Sequence, residues 1–187
     1  MTATALPDPP LRADGIGLRP LDWRDIDPLV EACNDPVIAE YIPVPSPYTK
    51  DDARAYAAIT ARGFESGDNL QFAVVDEDGR LLGSCGLNHA SEGRQTIEIG
   101  YWVAPWARRR GVATAAVRLL AGWALGALGF ERVELYAAVD NVASRRVAVK
   151  AGFTEEGYLR ARERTRGGQR RDMLVYSLLA DEVPVRA

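Results

Sequence analysis

The chain has 187 residues, of which 47% are hydrophobic and 26% charged, with a formal net charge of −3. That is ordinary globular composition with enough chain for one core, and it excludes a wholly disordered protein. Two distant cysteines, Cys33 and Cys85, exclude a disulfide framework, and the single histidine, His89, argues against a multi-histidine metal centre. The acidic balance argues against general nucleic-acid binding through a basic body. All basic residues except Lys50 and Lys150 are arginines. This fits a GC-rich coding bias, and it also fits planar contacts to phosphate or carboxylate.

Residues 1–14 are rich in proline and small residues, with neither a basic nor a long apolar stretch, and read as a flexible leader and not as a secretory signal. No apolar run approaches the roughly 18 residues of a membrane span, so a reduced, cytoplasmic setting is expected. Residues 15–180 read as one domain and 181–187 as a tail. A strand, Ile16 to Arg19, precedes a helix capped by Asp22, with Leu21 and Ile26 as a hydrophobic staple and Trp23, Ile26, Val30 and Cys33 on one stripe. Asn34, Asp35 and Pro36 stop it, and the three prolines of 42–48 predict a stiff loop. Thr49 caps a second helix, which runs to about Phe64.

Gln71–Val75 and Leu81–Leu87 flank the turn Asp76-Glu77-Asp78-Gly79 and predict a hairpin, with Gly83 and Gly86 marking a bulge or a close backbone approach. Gln95–Val103 is the next strand. Ile97, Ile99, Tyr101 and Val103 share one face, and Glu98, Gly100 and Trp102 the other. The strongest helical stripe follows from about Arg110 to Leu128, through Ala113, Ala116, Val117, Leu120, Ala124 and Ala127. Then come a strand at Arg132–Val139, a helix at Asn141–Ala151 and two strands around Phe153–Arg162 and Asp172–Leu179, joined at Gly167-Gly168.

The junction of strand and long helix carries chemistry. Arg108, Arg109 and Arg110 precede Gly111-Val112-Ala113-Thr114. A helix N-terminus offers unpartnered amides at a positive dipole end, small residues let an anion approach, and the arginines add charge: a pocket for a pyrophosphate. Neither a Walker loop nor a dinucleotide fingerprint is present. Arg108-x-x-Gly111-x-Ala113 resembles the acyl-CoA pyrophosphate motif of GNAT N-acetyltransferases. EIGYWV, Asp140-Asn141-x-x-Ser144, Lys150-x-Gly152-Phe153, Glu155-Glu156-Gly157 and Asp172 are similar to the RimJ/RimL-like branch.

The resemblance implies an α+β three-layer fold. Its mixed, mostly antiparallel sheet of about seven strands would part between the fourth and fifth (QTIEIGYWV and RVELYAAV), flanked by about four helices. It implies acetyl-CoA as co-substrate without a metal. The pantetheine arm would pair with the edge of Tyr101, Trp102 and Val103, the pyrophosphate would lie on amides from Arg109 to Thr114, and Asn141 would bind near the sulfur. An ammonium must lose a proton before it attacks a thioester. Glu98 is the candidate base, against the alternative of a strand carboxylate satisfied by arginine or solvent. An amide near Trp102 or Val103 would hold the oxyanion. Where many members carry a tyrosine acid this chain has Ala148, so Ser144 is the candidate acid, against the alternative of a serine bonding its own helix. His89 reads as a hydrogen-bonded residue and Cys85 as buried.

The acceptor is implied as a primary amine, either a protein N-terminus, ribosomal-protein N-termini included, or a small amine. The loop 42–48 with Tyr48 is expected to form part of its wall. Arg160, Arg162, Arg164 and Arg166 alternate along one strand face, as a solvated surface or as a cationic rim. A non-catalytic CoA-binding sensor and a ribosome- or RNA-associated protein are the competing functions. The sequence leaves monomer and homodimer open.

Overall fold

The computed structural model describes residues 6–8, 10–67, 69–91 and 95–183. Eight strands form one sheet in the order β1-β2-β3-β4-β5-β6-β8-β7. They are β1 (Arg12–Ala13), β2 (Ile16–Pro20), β3 (Leu70–Val75), β4 (Leu81–Ser91), β5 (Thr96–Val103), β6 (Arg132–Ala138), β7 (Thr154–Arg164) and β8 (Arg170–Leu179). Every neighbouring pair is antiparallel except β5 with β6. The strand beyond the seven expected is the two-residue β1, on the edge of β2.

The β5–β6 pair decides the architecture. Its register holds for three residue pairs, Thr96–Arg132, Ile97–Val133 and Glu98–Glu134, and then stops, although β5 continues to Val103 and β6 to Ala138. The two strands part beyond Glu98 and leave a wedge in the middle of the sheet.

One face of the sheet is covered by α4 (Val112–Gly126) and α5 (Val142–Ala151), the other by α1 (Ile26–Cys33), α2 (Pro36–Tyr41) and α3 (Lys50–Ser66) in part. The main core joins Val117, Leu120 and Ala124 of α4 to Phe72, Leu87, Ile99, Leu135 and Tyr176 of the strands. A second cluster packs Leu29, Cys33 and Tyr48 with Ala73, Val75 and Leu81. Tyr48, expected on the acceptor wall, is instead buried in this cluster, with its main chain bonded to both amide atoms of Asn34.

Local physics accounts for where elements differ from the sequence reading. α2 was not expected, because Pro36 reads as a breaker. Proline is favourable at the first helical position, and the Asp35 carboxylate accepts from the amides of Val37 and Ile38 at 3.0 and 3.1 Å. Trp23 leaves its expected stripe and is 81% exposed. The residues Trp23–Asp25 form a 3-10 turn, whose tighter period puts Trp23 out of phase with Leu29, Ala32 and Cys33. α4 begins at Val112 instead of Arg110 because Arg109 and Gly111 have φ of 63° and 81°. It ends at Gly126, which leaves Ala127 exposed. The capped start of α3 at Thr49 and Asp52 agrees with the sequence reading.

Candidate active site

The wedge is approached from two faces. On the α4/α5 face, Ile97 and Ile99 of β5 are buried and Tyr101 and Val103 pack partly on the main core. Glu98, Gly100 and Trp102 alternate to the opposite face, where Trp102 packs on the two smaller clusters. The sequence-derived faces of this strand therefore hold. Gly83 of β4 lies against it so closely that a Cβ there would come within 2.3 Å of the Trp102 carbonyl oxygen.

On the α4/α5 face, Arg108 to Gly111 form the turn into α4. Gly111 takes the left-handed conformation just before the helix, and nothing lies within 4 Å of where its Cβ would stand. A side chain is disfavoured there by its backbone, not by crowding, so the space over the first amides of α4 is open. Arg110, Gly111, Val112 and Thr114 line a cavity of about 310 Å³ there, which also takes in Arg118 and Lys150. Arg108 turns elsewhere. Its guanidinium holds the Asp35 carboxylate at 2.5 Å, which pulls that carboxyl below its usual range.

Asn141 caps α5, its Oδ1 accepting from the Ser144 amide at 3.0 Å. The Ser144 hydroxyl lies 2.9 Å from the Tyr101 hydroxyl on β5, directly linking α5 to the strand that parts from β6. Burial pushes the Tyr101 hydroxyl up to about 12, partly offset by the bond to Ser144. Ala148 is fully buried in the core, consistent with no hydroxyl role at that position.

On the opposite face a cavity of about 470 Å³ opens at the vertex of the wedge. Glu98, Glu134 and Glu163 line it with Arg162, His89 and Tyr136. Burial raises the Glu98 carboxyl above its ordinary value; His89 and Arg162 pull it down, while Glu134 and Glu163 push it further up. Glu134, the register partner of Glu98, is held by Arg132 Nε at 2.8 Å and by the Tyr136 hydroxyl at 2.7 Å. Arg132 also clamps Glu156, so one guanidinium bridges two carboxylates.

Glu134 and Glu163 were not singled out from the sequence. Glu134 reaches the site through its parallel register with Glu98, which no local pattern encodes. Glu163 arrives through a bulge. The register of β7 against β8 shifts between Leu159 and Glu163, Ala161 has φ of 53°, and the Asp172 carboxylate accepts from the Ala161 amide at 2.6 Å. The bulge lets consecutive residues, Arg162 and Glu163, line one cavity, and it breaks the simple alternation expected for the arginines of this strand. Arg162 lies over the Tyr136 ring at 5.3 Å. Cys85 is fully buried, and that burial pushes its thiol strongly up, away from nucleophilic use.

The site thus combines an open turn at a helix start, a parted pair of parallel strands and a half-buried glutamate at their vertex, and the chain's relatives say what class of protein carries it. Residues 16–154 match the acetyltransferase (GNAT) domain. The chain belongs to the GNAT acetyltransferase family, and acetyl transfer is its class of activity. A Bacillus subtilis protein, YdaF, named as a candidate ribosomal N-acetyltransferase, is 40% identical over 106 residues, which cover 56% of this chain and 57% of that protein. The match thus spans just over half of that relative. A crystal structure described as that of a probable acetyltransferase is 30% identical and superposes with a TM-score of 0.82 over 90% of this chain and 95% of its own. Mycobacterium smegmatis RimJ, solved with CoA-disulfide, is 25% identical with a TM-score of 0.82 over 90% of this chain and 84% of its own. These likenesses support the RimJ/RimL-like branch. No helix among the described residues is long and apolar enough to cross a membrane.

Proposed function

We propose that this protein transfers an acetyl group from acetyl-CoA to a primary amine by direct attack in a ternary complex. The observation that carries this reading is that β5 and β6 part beyond Glu98, with an acidic cavity around Glu98 at one end of β5 and an open, largely basic helix start just after its other end. The thioester would enter from the α4/α5 face and the amine from the other.

The residues present fit the donor. The amides from Arg109 to Thr114 would receive the pyrophosphate, with Arg110 supplying charge. The edge of β5 beyond Glu98 lacks a strand partner on the β6 side, so Tyr101, Trp102 and Val103 offer main-chain groups to a pantetheine arm. Asn141 would meet the same arm through its amide nitrogen, because its oxygen is committed to the Ser144 amide. Arg108 would contribute field from its place beside Asp35.

Glu98 would take the proton of the incoming ammonium, directly or through one water. A carboxyl raised by burial is a better proton acceptor than an exposed one. An amide of the parted strand would stabilise the developing oxyanion, and the Ser144 hydroxyl would donate to the departing sulfur. The acidic lining favours a cationic acceptor, and the names of the relatives support a ribosomal-protein N-terminal amine.

Titration calorimetry with acetyl-CoA, followed by thiol release against N-terminal peptides and small amines, tests the proposal. Saturable binding and amine-dependent thiol release are expected. Binding without release for any amine would point to a sensor instead, and no binding at millimolar ligand would overturn the reading.

A further inference from the structure

We infer that Tyr101 is a positioning residue that aims the Ser144 hydroxyl hydrogen at the thiol end of the cleft. The inference rests on the reading of Ser144 as donor to the leaving sulfur and goes beyond it, since nothing in the sequence pairs these two residues.

The argument is one of hydrogen-bond accounting. A tyrosine and a serine hydroxyl each carry one hydrogen and can each accept. Their oxygens are 2.9 Å apart, so one donates to the other. If Ser144 donated to Tyr101, the Tyr101 hydrogen would need another acceptor in its largely buried setting. Packing of Tyr101 against the main core makes an unpaired donor there costly. If Tyr101 donates, both hydroxyls are satisfied and the Ser144 hydrogen is left for the open side. Burial keeps the Tyr101 proton in place, with its titration pushed up to about 12, so the direction of donation holds across the working range of pH.

The placement of Ser144 is fixed from the other side as well. Its amide donates to Asn141 Oδ1, which anchors the first turn of α5. The serine is thus held at its main chain by the helix cap and at its side chain by β5. The bond to β5 competes with the usual alternative for a serine in a first turn, in which the hydroxyl rotates to its own backbone. A hydroxyl that accepts one hydrogen bond is also a stronger donor of its own. The departing thiolate would meet a preset donor, with no proton transferred from serine in the step.

The test reads the thiol and needs no acceptor. CoA is bound to the full-length protein, and its thiol is titrated by thiolate absorbance against the ligand-free protein. In the wild type the bound thiol should titrate below free CoA. Ser144→Ala should raise it by about one pH unit, a tenfold change in proton affinity, in line with losing one hydrogen bond to an anion. Tyr101→Phe should raise it by at least a threefold change in proton affinity while acetyl-CoA affinity stays within about twofold. The double variant should match Ser144→Ala alone, and Ser144→Thr should retain the wild-type value. If Tyr101→Phe leaves the titration unmoved while Ser144→Ala shifts it, the Tyr101 assignment fails and the Ser144 reading stands. Additive shifts in the double variant would also overturn it, because they would mark Tyr101 as acting apart from Ser144. If Ser144→Ala shifts nothing, the reading beneath it fails too.

Discussion

On the face of the sheet that carries α4 and α5, the wedge is bounded by main-chain amides, a left-handed glycine and two bonded hydroxyls. On the opposite face it is bounded by three carboxylates, an arginine, a histidine and a tyrosine. On the proposed reading the first side holds a ligand by shape and backbone and the second manages charge. The difference teaches how one split sheet can host two unlike substrates. Alternation along β5 sends Tyr101 one way and Glu98 the other, and only where the strands part can groups bound on the two sides meet. Arginines on the β7–β8 side are a poor guide to where an anion goes, because two of them, Arg162 and Arg171, are engaged locally. Arg171 contacts Glu40 and stacks on Tyr41, and Arg162 lies on Tyr136.

The sharpest break of this contrast is Glu98→Gln, which should lower kcat/KM about 100-fold or more, as for loss of a general base. Acetyl-CoA affinity, belonging to the other face, should stay near its wild-type value by calorimetry. The sign with pH follows from the raised carboxyl. Activity should rise as pH climbs through a value above the ordinary glutamate range, and that limb should vanish in the variant. Stability runs the opposite way. The folded state binds the Glu98 proton more tightly than the unfolded one, so this group favours the fold at low pH and loses that contribution as pH rises through its folded pKa. Glu98→Gln should therefore be slightly more stable than wild type at neutral pH and equal at pH 4 in denaturant melts.

Next in size is Gly111→Val on the α4 face. A branched residue at φ of 81° is strained and its side chain stands over the open amides. Acetyl-CoA affinity should fall about tenfold, as for losing one good hydrogen-bonded anion contact. Ammonium-dependent binding at the Glu98 face should be untouched. An unchanged acetyl-CoA affinity would remove the turn from the donor site.

Arg108 separates structure from recognition. Asp35→Ala removes a helix cap and an ion pair and should cost about 1 kcal/mol of stability in a urea melt. Arg108→Ala should cost less than that. If Arg108 also contributes field to the pyrophosphate, its loss should weaken acetyl-CoA binding two- to fivefold at low salt, where a unit charge is felt most. Asp35→Ala should not weaken it. Equal effects of both variants on binding would assign Arg108 to the fold alone.

The smallest effect belongs to the bridge behind the acidic cavity. Arg132 holds the Glu156 carboxyl down to about 2, helped by the Ser177 hydroxyl. A depressed folded pKa adds stability above the unfolded value and loses it as pH falls toward the folded one. Because the pair is partly exposed, Arg132→Met should cost no more than about 1 kcal/mol at neutral pH. The cost should shrink between about pH 4.5 and 2.

Much of this molecule was legible in its residues because the signals were local. The cap at Thr49, the alternation of β5, the amphipathic stripe of α4 and the small residues of the turn before α4 each depend on neighbours within a few positions. Local rules also misled. Pro36 reads as a stop and in fact starts α2, because Asp35 accepts its first amides. Tyr48 follows a proline-rich loop and is nonetheless drawn into the core by Asn34.

By itself the sequence determined the order of the main elements, with α2 and the short β1 missing from it, and the two faces of β5. These follow from spacing along one chain, and the motifs it carries resemble those of acetyltransferases. Only the tertiary structure decided that the β5–β6 register ends at Glu98, that Glu134 and Glu163 join it and that Tyr101 meets Ser144 across 43 positions. Such contacts are set by how strands pair and by where a bulge shifts the register, and no periodicity within a segment carries that information.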